Sequence, residues 1–217
     1  MFLLESFPVN ISFDTCLKPG FKSTLRTVLA NAAMLGCDAI SAQDVSGDLQ
    51  MIYWHSRNQN EQRSLLEISV YVEQAITDGV SGFVVGYRDQ EFNYGQLGLA
   101  RKFGDVAVGL GVGMANYDDQ AHVLANPWVY YSGERYEAYL HAEHYANERQ
   151  DPWWYKAYLL RKFNTLSVGG YYDTTFGLGP RFDASISDHW NAWLAIPIWL
   201  RPDGGVFNYS IGVSVDF

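Results

Sequence analysis

Glu137, His141 and Glu143 share one face of an extended run over 136–145, because alternate side chains of a strand point the same way. The next run carries Lys156 and Lys162 on a common face. Acids and bases repeating at this period can line a constriction that selects small polar or charged solutes. They can equally pair with one another and close it. Spacing disfavours a shared metal ion, since positions i, i+4 and i+6 of a strand lie too far apart to meet on one centre. No metal and no cofactor is expected.

Nucleophilic catalysis finds little support in the spacing. His55 and Ser56 are neighbours, so in a strand they face opposite ways and cannot form a dyad with each other. His144 has no serine clearly at its height. Gly109, Gly111 and Gly113 lack the strand-to-helix setting of a phosphate loop and read as small residues on one strand face.

The elements that must position these residues begin near Asp48. From there the chain divides into about twelve runs of roughly ten residues, the length that crosses a bilayer as a tilted strand. The runs are 50–55, 65–75, 82–88, 94–103, 106–115, 128–132, 136–145, 153–163, 166–173, 177–186, 192–200 and 206–217. Connections after the odd runs are expected to be long and polar, at 56–63, 116–126 and 146–152 above all. Those after the even runs are short and rich in Gly, Asp, Asn and Ser, as tight turns require. Pro180 and Pro197 must fall at bulges or strand ends, because proline cannot donate to a ladder.

The faces are inverted relative to a soluble barrel. Val106, Val108, Leu110, Val112 and Met114 oppose Ala107, Gly109, Gly111, Gly113 and Ala115. Leu66, Ile68, Val70 and Val72 oppose Glu67, Ser69, Tyr71 and Glu73. Bulky apolar residues set against small or charged ones suit an exterior in lipid and an interior in water. Composition agrees: 16% of the chain is aromatic, 20 residues are glycine and only 18% are charged. Trp128, Trp153, Trp154, Trp190, Trp193 and Trp199 lie near run ends, where interfacial girdles are expected. A net charge of −9 argues against nucleic acid as a partner.

The last run, VFNYSIGVSVDF, alternates without a break and stops on Phe217. It resembles the C-terminal strand of Gram-negative outer-membrane β-barrels, in which a terminal Phe and apolar residues at every second position back form the assembly signal. Tyr209, Ile211, Val213, Val215 and Phe217 occupy those positions here. The resemblance implies an all-β, antiparallel, up-and-down transmembrane barrel of about twelve strands over 43–217. It implies residence in the outer membrane of a Gram-negative bacterium, with outer-membrane lipid and the barrel-assembly machinery as partners. Strand parity then assigns Glu67, Glu73, Arg88, Glu137, His141, Glu143, Lys156, Arg181 and Asp183 to the lumen. The active-site motifs of outer-membrane phospholipases and lipid A deacylases are not visible.

Residues 1–42 read as an over-extended start followed by a signal peptide. Lys22 to Arg26 give the basic part, an Ala-rich apolar run follows, and Ile40-Ser41-Ala42 offers the cleavage site. Both cysteines, Cys16 and Cys37, fall in this part. Three functions remain open: a narrow channel or facilitator for small polar or charged solutes, a non-conducting barrel acting in surface interaction or envelope assembly, and a soluble periplasmic all-β binding protein.

Overall fold

Uninterrupted period-two patterning leaves each run one way to satisfy its backbone, which is pairing with its neighbours in the chain. The computed structural model describes residues 45–57, 62–89, 92–117, 120–146, 152–199 and 207–217. The leader expected at 1–42 lies outside the described residues. Twelve strands follow in order: β1 Val45–Arg57, β2 Gln62–Thr77, β3 Val80–Arg88, β4 Phe92–Phe103, β5 Val106–Tyr117 and β6 Gln120–Ser132. They continue with β7 Tyr136–Tyr145, β8 Trp153–Phe163, β9 Leu166–Asp173, β10 Gly177–Ser185, β11 Trp190–Ala195 and β12 Phe207–Asp216. Each is antiparallel to the next, and β12 pairs with β1 to close the barrel.

The closing seam runs from Asp48 opposite Asp216 to Arg57 opposite Phe207. It is extended by Phe217, whose backbone N–H and C=O both bond to Gly47 at 2.9 Å. The Phe217 ring lies where a side chain at Gly47 would stand, so glycine there makes room for the terminal aromatic.

At one end of the barrel the strands are joined through 78–79, 104–105, 133–135, 164–165 and 186–189. Gly79 and Gly104 adopt φ of 72° and 59°, and Asn164 takes 52°, the left-handed conformation that tight hairpins demand. At the other end the expected long connection at 116–126 is a correction. β5 runs on to Tyr117 and β6 starts at Gln120, leaving only 118–119 between them. The stretch looked loop-like because His122 and Asn126 are polar, yet both sit on the inward row of a strand while Val123 faces out. Pro197 falls beyond a strand end as expected, but Pro180 is a correction: it lies inside β10, opposite Gly170 in the β9–β10 ladder, and is tolerated because its other edge faces the point where the β10–β11 ladder has ended. β11 ends at Ala195 before Pro197, and Pro180 lies one residue beyond the last β10–β11 ladder pair, Arg181 with Ala195.

The outward rows are apolar and uncovered. Leu99, Leu110, Met114 and Leu159 are 60%, 55%, 60% and 59% exposed, whereas inward Asn126, Asp173, Asn208 and Ser210 are almost wholly buried. Water would penalise a continuous apolar belt of this extent, and lipid does not. Among the described strand side chains, the charged residues on outward rows are Arg88, Arg101 and Arg161, all near strand ends. Arg101 and Arg161 lie 5.0 Å from the ring centres of Phe103 and Phe163, holding the guanidinium where hydrocarbon gives way to water. The girdle differs from the expectation for tryptophan. Trp153, Trp190 and Trp199 face outward, but Trp128, Trp154 and Trp193 point inward, because position near a strand end does not decide the face.

The seam carries a prediction. Phe217→Ala removes the ring that covers Gly47, so the fraction recovered from membranes in the heat-modifiable, folded form should fall. Unchanged recovery on unboiled gels would show that the seam closes without it.

Candidate functional site

Twelve strands lie between the eight that side chains can fill and the sixteen or more that leave a wide aqueous channel. The interior here is a cavity of about 1650 Å³. Its wall includes Asp48, Gly79, Lys102 and Ser185 near the short-turn end, and Asp89, Phe92, Trp154 and Thr175 near the opposite end. One cavity is therefore bordered by residues near both ends of the barrel.

Of the residues assigned to the lumen from sequence, Glu67, Glu73, Glu137, His141, Glu143, Lys156, Arg181 and Asp183 border this cavity. Arg88 does not. It stands opposite Ile68 and Asn93, both on outward rows, whereas its neighbour Tyr87 faces in. The placement of Arg88 is thus corrected to the outer surface at the strand end, where a long arginine can reach the polar boundary.

Five of the inward strand acids are held by an aromatic donor, whereas Asp183 pairs with Arg181 and Asp216 accepts from Asn191 Nδ2. Trp54 Nε1 donates to Glu67 Oε2 at 2.6 Å, and Tyr71 donates to Glu73 Oε2 at 2.6 Å. Tyr158 donates to Glu137 at 2.9 Å and Tyr171 to Asp173 at 3.0 Å. Tyr145 donates to Glu143, and Ser81 adds a second donor to Glu73. In three of these pairs, at 71 and 73, 143 and 145, and 171 and 173, donor and acid are two apart on one strand, so period-two alternation alone brings them together. A neutral donor satisfies a buried carboxylate without cancelling its charge.

Cations are fewer and differently held. Arg181 forms a two-pronged pair with Asp183, Nε and a terminal nitrogen each 2.8 Å from a carboxylate oxygen. Its guanidinium carbon also lies 4.2 Å from the Tyr158 ring centre and 4.6 Å from that of Trp193. Lys162 donates to Ser132 Oγ and Gly133 O at 3.0 and 3.1 Å and reaches Glu137 at 4.0 Å. Lys156 makes no ion pair among the described residues and lies 6.0 Å from the Trp193 ring centre. His141 Nε2 lies 2.6 Å from Asn126 Nδ2 and 3.3 Å from Glu143 Oε1.

Aromatic rings narrow the bore from two sides. Trp54, Tyr171 and Trp193 form a cluster on the β1, β9 and β11 wall, and Phe176 stacks on Trp54 with ring centres 4.1 Å apart. Tyr94 and Leu124 with Tyr87, Phe92 and Tyr145 form another on the β3 to β7 wall. The glycines make these rings fit. A side chain at Gly109 would overlap the Trp128 indole, and one at Gly212 the Trp193 indole. Sequence reasoning missed this aromatic lining, although the i, i+2 Tyr–acid pairs on single strands were a signal that could have shown part of it.

No protein-family model matches the chain, and neither does any curated protein sequence. Several solved structures are similar to it at low identity. The KdgM porin is 10% identical with a TM-score of 0.49, matched over 77% of this chain and 99% of its own. The NanC porin is 10% identical with a TM-score of 0.48, over 78% and 98%. An outer-membrane channel from Pseudomonas putida F1 is 11% identical with a TM-score of 0.46, over 82% and 97%.

Arg181→Lys keeps the charge and loses both the forked pair and the stacking plane. It should lower unfolding free energy by about 1–2 kcal/mol, read by denaturant titration in detergent. An unaltered midpoint would show that the guanidinium geometry contributes nothing.

Proposed function

We propose that this barrel is an outer-membrane channel, a narrow facilitator for small polar solutes that favours cations over anions. The observation that carries the reading is the continuous cavity together with its charge. The carboxylates of Asp48, Glu67, Glu73, Glu143 and Asp173 stand along it, while one of the main opposing cations, Arg181, is neutralised by Asp183 and shielded by rings. Walls bearing fixed negative charge raise the local concentration of cations and repel anions. Inward Asn126 Oδ1, His122 Nδ1 and Trp193 Nε1 have no hydrogen-bond partner among the described residues, so a polar solute or water would find hydrogen-bonding groups on the way through. The apolar exterior supports placement in a bilayer, and the alternating last strand is what assembly machinery would receive.

A tighter reading has one observation in its favour. The stacked Trp54 and Phe176 and the buried Tyr171 reduce the bore, so passage is restricted to small solutes and conductance should be low.

Planar-bilayer recording tests both. The wild-type barrel should pass small currents with a reversal potential displaced toward cations in a salt gradient. Glu143→Gln should move that potential toward zero, and Trp54→Ala should raise conductance. A silent bilayer with folded protein inserted would refute the channel; an anion-selective current would refute the role given to the acids.

A further inference from the structure

On the outside of the barrel, near the end opposite the short turns, β1 and β2 bring together three side chains that the lumen does not use. His55 and Ser64 are direct cross-strand partners. They stand on the outward row with Met51, Tyr53 and Leu66, all of which are exposed. His55 Nδ1 lies 3.0 Å from Ser64 Oγ, and Tyr53 donates its hydroxyl to the same oxygen at 3.0 Å. The imidazole is stacked on Tyr209 of β12, ring centres 5.1 Å apart, which fixes its plane. With its proton on Nε2, the ring accepts the Ser64 hydroxyl at Nδ1, giving the chain Tyr53 O–H to Ser64 O–H to His55.

We propose that Ser64 and His55 form a nucleophile and general base that cleave acyl esters of membrane lipids. Geometry and depth both favour that substrate class. A serine within hydrogen-bond reach of an imidazole is the minimal arrangement for acyl transfer. The pair sits two residues from the end of the β1–β2 ladder, at about 7 Å from it, with the apolar belt on its other side. Near that level hydrocarbon gives way to headgroups, so acyl chains would lie along Met51 and Leu66 with their ester carbonyls close to Ser64.

The chemistry closes with water as the co-reactant. Ser64 Oγ attacks the ester carbonyl carbon as its proton passes to His55 Nδ1. The Tyr53 hydroxyl, released from Oγ, turns to the developing oxyanion. Collapse breaks the bond to the alcohol oxygen, which takes the proton from His55 and leaves. Water, deprotonated by His55, then attacks the acyl-Ser64 carbonyl, releasing the fatty acid and restoring the serine. His55 Nε2 has no polar partner among the described residues, so stacking on Tyr209 does the orienting that a third polar group does in a triad.

The folded full-length barrel in detergent, treated with a fluorophosphonate probe, tests the dyad independently of any conductance. Peptide mass should place the adduct on Ser64. Labelling should be absent in Ser64→Ala and slowed by about a hundredfold in His55→Asn, with heat-modifiable migration confirming that the variants are folded. Fatty-acid release from phosphatidylethanolamine vesicles or from lipid A micelles then separates a glycerolipid from an acylated saccharide as the ester's source. An unlabelled Ser64 in the folded wild type, or labelling that His55→Asn leaves unchanged, would reduce the trio to a hydrogen-bonded patch of the polar belt. Labelling without fatty-acid release from either lipid would overturn the substrate class.

Discussion

Hydrocarbon offers no hydrogen bonds, and that absence organises the whole molecule. A strand placed in it must pair on both edges, so a sheet is tolerated only when it closes on itself. The seam between β1 and β12, carried to the last residue by Phe217 and Gly47, removes the remaining edges. Closure also fixes the two faces. Once Leu110 and Leu159 are committed to lipid, every second residue is committed to the interior, and polar groups such as Asn126 and Asp173 follow.

The interior then has a problem of its own. Acids turned inward by strand parity need partners, and only a few cations are available. The barrel solves this chiefly with tyrosine and tryptophan, whose rings fill space while their O–H and N–H groups satisfy the carboxylates. One kind of side chain thereby narrows the bore and leaves its charge intact. A lumen closed mainly by ion pairs would have done neither in the same way, since each pair cancels the charge it satisfies. Arg181 and Asp183 are the local exception, and there the aromatic rings surround the cation instead.

Much of this was legible because alternation is a strong signal when large and small residues take opposite rows. The runs at 136–145, 153–163 and 166–173 have the same boundaries as β7, β8 and β9, and the phase of Glu137, His141 and Glu143 follows from their surroundings. Arg88 was misplaced because 82–87 reads Gly-Phe-Val-Val-Gly-Tyr, with apolar residues on both rows and no phase to count from. The start of β6 was hidden because its inward row is polar enough to resemble a loop. Interstrand register was the deepest gap. Sequence sets His55 and Ser56 on opposite faces but leaves Ser64 outside the expected runs and hides that it stands at the height of His55, and Trp54 with Glu67 is invisible for the same reason.

The central claim is that odd positions of β8 meet lipid and even positions meet water. Nitroxide labels on single cysteines at positions 155 to 159, in a cysteine-free background in vesicles, report it through collision with oxygen or with a water-soluble nickel chelate. The account predicts strict alternation, with 155, 157 and 159 favouring oxygen and 156 and 158 favouring nickel. Equal accessibility along the strand, or the opposite phase, would contradict it.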